Sequence, residues 1–576
     1  MKKYTADFET CTWLEDETYV WAWALCEIGN ESNIKIGTNI DEFFKECVKL
    51  KNPKVYFHNL KFDGAFLIDY LYNEGYELIK ESKEKREKTF QCIISDLGAF
   101  YEIIVYLKIN NKKIQKITFI DSLKIINMSV EGIAKTFNLP IKKLEIDYNE
   151  FRERGHQLTE VEKDYITNDV TIVAMALNQL FNENLTQMTA ASNALSYYKK
   201  ITGRQKFEHY YPTLTPEEDS LIRPSYKGGF TYMNPIYKEK TIKDVNVFDV
   251  NSLYPSVMRF EILPFGKPIY FKGKYEINHI YPLYIQTIRC RFKIKKNKIP
   301  TIQIKEKNFF FQSNEYIEDS RGEVFLLTLT SIDLEMFFNH YDVEDLEYID
   351  GFMFRGIQGL FDKYIDYWIE KKIEAGKEGN KGKRTIAKLQ LNSLYGKFAK
   401  STIIKSKYPI IGTDGLIHFT MSEAVQKNGI YIPIACFITA YARRKTIETS
   451  QKIKEYSIKK YNDDMYCYSD TDSIHTRLPL DDCYQFMDID DFKLGFWAHE
   501  SFCSRAKFVR QKCYIEEIDN KLKITCAGLP QNCYNQVTWE NFKEGFTAHG
   551  KLTYKYVKGG VKLIETDFTI KEDNIK

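Results

Sequence analysis

The first part of the chain alternates between two hydrophobic patterns, one typical of strands and one typical of helices. Short apolar runs typical of strands, residues 54–58 and 114–120, occur between longer segments such as 161–181, whose period is that of a helix. This alternation predicts an α/β unit over about the first 185 residues. A polar join with two prolines, residues 211–216, follows it and leads to a predicted strand at 245–250.

The middle of the chain has a different pattern. Residues 261–359 are rich in Tyr, Ile and Lys and predict a separate mixed module. Residues 359–375 and 384–400 both have helical periodicity, and the glycine-rich cationic segment 376–383 lies between them. Together these three segments predict a helical hairpin with a basic tip.

The last third predicts mostly strands. Residues 401–431 predict a small β insertion around two glycines. Two strands are predicted to flank Asp470 and Asp472. From residue 529 the chain is basic and strand-prone, with a turn predicted at residues 559–560.

Composition limits the class of protein. The chain has 576 residues, enough for three to five domains of about 100–200 residues each. Hydrophobic residues make up 44% and charged residues 28%, which excludes a disordered or fibrous chain. The net charge of +3 excludes a histone-like polycation. It remains compatible with a nucleic-acid enzyme whose acidic sites offset basic grooves.

Cysteine spacing and the termini bear on the compartment. Twelve cysteines are scattered with no pair at CxxC spacing, which disfavours a zinc ribbon and predicts reduced thiols. The first residues lack an apolar core segment, so we expect no signal peptide. The apolar stretch 430–442 contains Pro433 and is too short to span a bilayer. We therefore expect a soluble chain that does not enter membranes.

A first set of acids lies in the N-terminal unit. Asp7 and Glu9 are two positions apart on a predicted strand, so their side chains share a face. Asp63 follows a short apolar run, and Tyr165 and Asp169 are four apart on a predicted helix. Taken singly, each acid is more simply a solvated surface residue. As a set, they can hold two divalent cations about 3.5–4 Å apart and activate a water against a phosphodiester.

A second set lies in the other half of the chain. Asp249 ends a predicted strand, and Asp470 and Asp472 lie in a predicted hairpin. Acids so close repel each other unless a cation lies between them. Two Mg²⁺ ions, held by Asp249 and Asp472 with help from the Val250 carbonyl, would serve in-line attack on a nucleotide phosphate.

A helical stripe lies between the two halves of this second set. At 3.6 residues per turn, two cations, an amide and a phenol face the same way, namely Arg384, Lys388, Asn392 and Tyr395. These groups can bind a triphosphate and a base pair. The alternative is a solvated helix face, which gives no reason for Gly396 inside a helix.

These motifs resemble a known family. Residues 7–9, 59–63 and 165–169 resemble the three motifs of the proofreading 3′–5′ exonuclease of family B DNA polymerases. Residues 249–255 and 468–473 resemble motifs A and C of the palm of that family, and the stripe resembles motif B of its fingers. The spacing and the compact length resemble the protein-primed branch found in short-tailed bacteriophages. The resemblance covers nearly the whole chain.

The resemblance implies a fold and an order of domains. It implies a multidomain α/β and α+β chain, with a ribonuclease-H-like exonuclease domain followed by a right-hand polymerase domain that carries two insertions. In this sequence the parts would be the exonuclease at 1–188, the palm at 189–260 and 432–528, insertions at 261–359 and 401–431, the fingers at 360–400 and the thumb at 529–576. In the family branch the first insertion holds a terminal protein and the second closes a ring around DNA.

The resemblance also implies roles in the N-terminal site. Lys143 would stabilise phosphate charge, and Glu145 would be an extra metal ligand beside Asp7, Glu9 and Asp169. The single-stranded primer end would be held by Thr10, His58, Asn59, Phe62, Phe66, Ser122 and Leu123. At their helical spacing, Phe62 and Phe66 fit a plain core equally well.

In the polymerase region the resemblance assigns nucleotide and DNA contacts. Lys388 would contact the triphosphate, assisted by Arg384 and Lys372. Tyr254 would select deoxyribose, and the following Pro255 would hold it in an extended conformation. DNA contacts would come from Tyr226, Gly228, Gly229, Ser252, Arg443, Lys512 and Tyr514. Thr525 stands where the family often has a lysine, which puts one primer contact in doubt.

Together these observations predict a DNA-directed DNA polymerase with a proofreading exonuclease, started from a terminal-protein primer and processive with strand displacement. Its cofactor would be Mg²⁺, two ions per site, with Mn²⁺ able to substitute. Its partners would be DNA, deoxynucleoside triphosphates and a terminal protein. The virus-encoded chain would act in the host cytoplasm as a monomer or a heterodimer with that protein. The alternatives are a polymerase that uses only nucleic-acid primers, an inactive DNA-binding protein with this fold, and a nuclease alone.

Overall fold

The computed structural model describes residues 2–110, 113–148, 150–303 and 316–571. The N-terminal part contains β1 (Lys3–Thr10), β2 (Val20–Glu27), β3 (Asn30–Gly37), α1 (Ile40–Lys49), β4 (Lys54–Phe57), α2 (Leu60–Asn73), β5 (Glu77–Leu78), β6 (Thr89–Ile94), β7 (Phe100–Asn110), β8 (Lys113–Asp121), α3 (Val130–Thr136) and α4 (Glu160–Asn182). Among the described residues its strands form one eight-stranded sheet, the N-terminal sheet, in the order β3-β2-β1-β4-β8-β7-β6-β5. Parallel pairing of β1 with β4 and of β4 with β8 confirms the predicted α/β unit.

Helix α4 is fixed against this sheet by local chemistry. It begins with a capping box in which Thr159 and Glu162 exchange hydrogen bonds. The Thr5 hydroxyl on β1 donates to the Val170 carbonyl at 2.8 Å. This contact holds the central turns of α4 over β1, where both elements carry predicted acids.

The chain continues with α5 (Ala190–Thr202), α6 (Arg204–Tyr210), α7 (Pro216–Ile222), β9 (Thr231–Met233), β10 (Thr241–Val250) and α8 (Leu253–Phe260). The first insertion adds β11 (Leu263–Lys272), β12 (Leu283–Ile294), β13 (Phe325–Thr330), α9 (Ser331–His340) and β14 (Tyr341–Ile357). Its described strands form a sheet of four in the order β11-β14-β12-β13.

The remaining elements are α10 (Asp362–Lys377), α11 (Lys381–Ser393), α12 (Tyr395–Phe398), β15 (Ile403–Ile404), β16 (Lys407–Ile411), β17 (Ile417–Met421), β18 (Val425–Gln426), α13 (Ile432–Tyr461), β19 (Tyr466–Asp470), β20 (Ser473–Thr476), α14 (Leu480–Cys483), β21 (Trp497–Arg510), β22 (Cys513–Ile518), β23 (Lys521–Cys526), β24 (Thr547–Val557) and β25 (Gly560–Thr569). In the described part of the chain a seven-stranded central sheet has the order β23-β22-β21-β10-β20-β19-β9. It therefore joins strands that lie on both sides of the insertions and of the helical hairpin formed by α10 and α11. Strands β24 and β25 pair with each other as the C-terminal hairpin.

Two details differ from the prediction. The expected single helix over 384–400 is wrong, because α11 ends at Ser393 and the short α12 begins at Tyr395. Tyr254 is not extended but lies in the first turn of α8. Pro255 is tolerated there, because the first N–H groups of a helix have no acceptor within the helix.

The apolar stretch at 430–442 begins α13, a helix of 30 residues with Pro433 in its first turn. No helix within the described ranges is long and apolar enough to cross a membrane.

The C-terminal hairpin packs against the N-terminal sheet. The Thr18 N–H donates to the Lys558 carbonyl at 2.9 Å. A Cβ at Gly559 would lie 2.2 Å from the Thr18 carbonyl oxygen, and φ at this glycine is +89°. Only glycine fits this close approach in a left-handed conformation. The predicted turn at 559–560 is confirmed, and it is also where two distant parts of the chain meet.

Candidate active sites

The first candidate site is a cavity of about 500 Å³ between β1, α2 and α4. The C-terminal hairpin forms part of its wall through Leu552, Val561, Lys562 and Leu563. Ten of the predicted residues line it, namely Asp7, Glu9, Thr10, His58, Asn59, Phe62, Asp63, Lys143, Tyr165 and Asp169. Residues from four segments of the sequence thus converge on one enclosed space.

The acids in this cavity have raised pKa values, because they are buried close to one another. Burial and the neighbouring Asp169 raise the pKa of Asp7 to about 7. Burial and the charge of Asp7 raise the pKa of Glu9 and of Asp63 well above the usual range. One buried oxygen of Asp63 and one of Asp169 have no hydrogen-bond partner among the described residues. The site therefore concentrates negative charge that the surrounding protein satisfies only in part.

Lys143 faces this cluster. Lys143 Nζ lies 2.8 Å from Asp169 Oδ2. Burial lowers the pKa of Lys143, but the Asp169 carboxylate more than offsets this, so the pKa of this lysine is raised. Lys143 therefore remains a cation inside the cavity and neutralises part of its charge.

Tyr165 has a partner that the sequence did not single out. Its hydroxyl lies 2.5 Å from the Tyr148 hydroxyl, and both side chains line the cavity. Tyr148 lies in an irregular polar stretch with no periodicity, so nothing in the local pattern distinguishes it. The two phenols form a donor and acceptor pair at the mouth of the acid cluster.

The structure places four other predicted residues outside this cavity. Glu145 is exposed, and Phe66 is only 1% exposed, packed in the core where a Cβ on Gly560 would collide with its ring. The position of Phe66 thus favours its alternative as a core residue. Ser122 is buried beneath His58, bonded to its Nδ1 at 2.9 Å, and the Leu123 N–H donates to Asp121 at 3.0 Å. Ser122 holds His58 in place.

The second candidate site lies at the end of β10 in the central sheet. Burial and the charge of Asp472 raise the pKa of Asp249 to about 7, and Glu500 on β21 contributes further. The Val250 N–H donates to the Asp472 carbonyl at 2.8 Å. Thr471 between the two hairpin acids has φ of 61°, a conformation that β-branched residues rarely adopt. This strained turn holds Asp472 next to Asp249.

The other hairpin acid has its own counter-ion. Asp470 accepts an ion pair from Lys512 Nζ at 2.7 Å. Tyr514, two residues further on, is buried against the Tyr468 ring with centroids 5.0 Å apart. Its side chain hydrogen-bonds to Thr525, the residue that departs from the family pattern. The exposed Lys512 and the buried Tyr514 therefore both lie at the edge of the site.

The helical hairpin brings cations to this site. Burial and the charges of Arg384 and Lys388 lower the pKa of Lys372, so these three side chains form one cluster. Arg384, Lys388 and Asn392 are exposed along one face of α11. Lys388 is near enough to Asp249 to lower its pKa. The predicted stripe therefore faces the acids of the central sheet.

Two aromatic rings lie near Asp472 in this site. The rings of Tyr254 and Tyr395 stack with centroids 4.1 Å apart at an angle of 22°. Ser252, just before α8, has φ of 54° and sets the turn that leads from Asp249 to Tyr254. The structure thus supports a flat aromatic platform one turn away from the acids.

One predicted DNA contact is wrong. Arg443 is only 2% exposed in its side chain and forms a bidentate ion pair with Asp333 of α9 at 2.7 and 2.8 Å. It also donates to the Lys227 and Gly228 carbonyls at 2.9 and 2.8 Å. Arg443 therefore cannot reach a template phosphate. It ties the first insertion to the loop that begins at Tyr226 and positions that loop.

That loop lies against the strained hairpin turn. A Cβ on Gly229 would lie 2.7 Å from the Thr471 side chain, so only glycine permits this packing. Thr471 lies inside the predicted hairpin motif, but its contact with Gly229 was not predicted, and Glu500 belongs to no motif seen in the sequence. Their roles depend on the pairing of distant strands, such as β10 with β21.

Comparison with known proteins assigns the family. Residues 44–477 match the family described as DNA polymerase type B, organellar and viral. The DNA polymerase of Bacillus phage Nf is 43% identical over 99% of this chain and 100% of its own length. Phi29 DNA polymerase complexed with single-stranded DNA superposes with a TM-score of 0.89, and its complex with primer-template DNA and incoming nucleotide with 0.91. Both are 40% identical to this chain and cover 99% of it and 100% of their own.

The similarity extends over the whole chain, so it includes both carboxylate sites and both insertions. It confirms the predicted fold class, an α/β and α+β multidomain polymerase of family B. The chain belongs to the organellar and viral type B DNA polymerases and is a DNA polymerase of the phi29 type found in Bacillus phages.

Proposed function

We propose that this polymerase proofreads its product with a 3′–5′ exonuclease in the N-terminal cavity and extends DNA at the central site. The exonuclease proposal rests on one observation: four carboxylates, Lys143 and Tyr165 converge in one cavity. A related phage polymerase solved with single-stranded DNA supports the same assignment.

We further propose that each site binds two divalent cations, Mg²⁺ or Mn²⁺. The unpartnered oxygens of Asp63 and Asp169, in a cluster of four acids, fit hard cations that prefer oxygen ligands. Within the described ranges no three such side chains form a complete metal cage. The candidate ligands are Asp7, Glu9 and Asp169 in the cavity, and Asp249, Asp472 and the Val250 carbonyl in the central sheet. Bound there, Mg²⁺ supplies Lewis-acid stabilisation of charge on the phosphate oxygens.

The protein groups of the N-terminal cavity have distinct tasks in this proposal. Lys143, held by Asp169, places a positive charge where the phosphodiester gains negative charge. The paired hydroxyls of Tyr165 and Tyr148 orient the attacking water through their hydrogen bond. Phe62 lies at the wall of the cavity, where its ring can stack on a terminal base.

At the central site the cations of the helical hairpin receive the triphosphate. Lys372, Arg384 and Lys388 repel one another in the free protein, so a triphosphate that lies between them relieves this repulsion. Asn392 on the same face would contact the nucleotide. The stacked rings of Tyr254 and Tyr395 would support the base and exclude a ribose hydroxyl.

We also propose that synthesis starts on a terminal protein bound by the first insertion, in a heterodimer, and proceeds with strand displacement in the host cytoplasm. The support is the full-length similarity to phage polymerases and the presence of both insertions. The alternative is a polymerase that uses only nucleic-acid primers.

The test uses the purified chain with Mg²⁺, deoxynucleoside triphosphates and a primed single-stranded circle. Extension and degradation of the primer are measured together. A second reaction replaces the primer with a candidate terminal protein, a small basic protein if one is encoded beside the polymerase gene. Labelled nucleotide attached covalently to that protein supports protein priming. Extension of the primed circle without any such product would favour the alternative.

A further inference from the structure

The C-terminal hairpin forms part of the wall of the exonuclease cavity. It makes a specific polar contact there. Asn59 Nδ2 donates to the Tyr554 hydroxyl at 3.1 Å. Tyr554 lies on β24, 495 residues further along the chain. Because Asn59 lines the cavity, this bond joins the hairpin to a residue expected to hold the primer end.

The Asn59 side chain does not cap the helix that follows it. Asn59 precedes α2 with φ of 85° and ψ of 55°, and its side chain makes no capping hydrogen bond to that helix. Its backbone N–H is held by Asp121 Oδ1 at 3.1 Å. The backbone is thus fixed from one side, and on the other side the amide group is held by the Tyr554 hydroxyl, which lies 3.1 Å from Nδ2 and 3.5 Å from Oδ1.

The ring of Tyr554 contacts two more residues of the same turn. Lys61 Nζ lies 4.4 Å from its centroid, a cation–π contact. The Phe62 ring lies 6.5 Å away by centroids, at an angle of 51°. One side chain of the hairpin therefore touches three of the four residues from Asn59 to Phe62, on the helical turn that carries Asp63.

The hairpin is anchored, so these contacts have a defined geometry. Its tip meets the loop between β1 and β2 at the Thr18 to Lys558 hydrogen bond and at the close approach of Gly559. Lys555 adds an ion pair to Asp16 at 3.3 Å. The position of Tyr554 over Asn59 thus follows from packing on both sides of it.

We propose that Tyr554 is a positioning residue of the exonuclease site, which orients the Asn59 amide and packs Phe62 to receive a single-stranded 3′ end. This inference rests on the proposed exonuclease function. Tyr554 does not touch the metal-ligand carboxylates, so it acts on binding of the strand and not on hydrolysis itself.

The test is Tyr554→Phe, which removes the hydroxyl and keeps the ring. We expect the KM for degradation of a single-stranded oligonucleotide to rise about three- to tenfold, as loss of one hydrogen bond predicts, with kcat unchanged. Primer extension and the melting temperature should remain those of the wild type. The matched control is Tyr556→Phe on the same face of β24, whose ring packs 5.3 Å from Phe419, and it should leave the KM unchanged.

A double-mutant cycle separates positioning from a general structural effect. Asn59→Ala should raise the KM, and adding Tyr554→Phe to it should produce no further rise, because both act through one amide. Additive losses, an unchanged KM in Tyr554→Phe, or a fall in kcat alone would overturn the inference. If the wild type degrades no single strand while it extends primers, the exonuclease proposal itself fails. Degradation that Asp63→Ala abolishes and Tyr554→Phe leaves unchanged would overturn only the role of Tyr554.

Discussion

The two carboxylate sites of this polymerase differ in the location of the cations that balance their negative charge. In the N-terminal cavity the acids are enclosed, and the counter-charge, Lys143, is inside the cavity with them. In the central sheet the acids lie at an open junction, and the counter-charges are on a separate helical hairpin. Asp470 is paired with Lys512, which lies in the turn between β21 and β22. This difference fits the proposed functions, in which the N-terminal cavity receives a single-stranded end and the central site admits a nucleotide and a duplex.

The largest predicted effect comes from inactivating one site at a time, which tests whether the two sites act independently. Asp63→Ala should reduce degradation of single-stranded DNA by about a thousandfold, since it removes one of the four carboxylates proposed to act in the cavity, and with it several kcal/mol of transition-state stabilisation. Asp472→Ala should do the same to extension. Each variant should retain the other activity, measured on one labelled primer. Loss of both activities in a folded variant would show that the sites are not independent.

A second prediction concerns Arg443, which connects the palm region to the first insertion. Arg443→Met leaves Asp333 buried without its partner and should lower the free energy of unfolding by about 3–5 kcal/mol, measured by denaturant titration. Arg443→Met with Asp333→Leu should recover part of that loss. If Arg443 contacted template phosphate instead, the single variant would be stable and would reduce the salt dependence of DNA binding.

The third prediction tests the aromatic platform of the open site. Tyr254→Val should raise incorporation of ATP relative to dATP opposite template T by about a hundredfold, because it removes the ring that excludes a 2′-hydroxyl. The change should appear chiefly as a lower KM for ATP. The measurement is single-nucleotide insertion by variant and wild type. An unchanged ratio in a variant that still extends with dATP would remove Tyr254 from this role.

The smallest predicted effect is on stability and follows from the raised carboxylate pKa values. Asp7 and Asp249 each have a folded-state pKa of about 7, above the value of about 4 expected in the unfolded chain. The folded state therefore binds more protons than the unfolded state between these values, and stability falls as pH rises from about 4 to 7. Above pH 7 both acids are ionised and available to cations.

Addition of Mg²⁺ should consequently raise the melting temperature by about 2–4 °C at pH 8 and by less at pH 6. Differential scanning fluorimetry at both pH values measures it. The variant carrying Asp7→Asn and Asp249→Asn should be more stable without Mg²⁺ at pH 8 and should respond less to the ion. An equal rise in melting temperature at both pH values would contradict ionisation of Asp7 and Asp249 as its cause.

The enclosed site was the easier one to find from the sequence. Asp7, Glu9, Tyr165 and Asp169 obey strand and helix spacings, and the structure brings all four into one cavity. The open site was predicted through motifs on β10, the β19–β20 hairpin and α11. Tyr148 and Glu500 were missed, since neither belongs to a recognised motif. Thr471 lies in the predicted hairpin, but its left-handed conformation and its contact with Gly229 were not predicted.

The sequence by itself determined the residues that carry charge and the elements that hold them, because side-chain spacing on a strand or helix is a local property. The tertiary structure alone decided the partners of Arg443, of Asn59 and of Asp470. Arg443 looked like a surface cation, but it is buried against Asp333, 110 residues away. Asn59 is hydrogen-bonded to Tyr554, 495 residues away. Such pairings depend on how distant elements pack, and no local pattern encodes that distance.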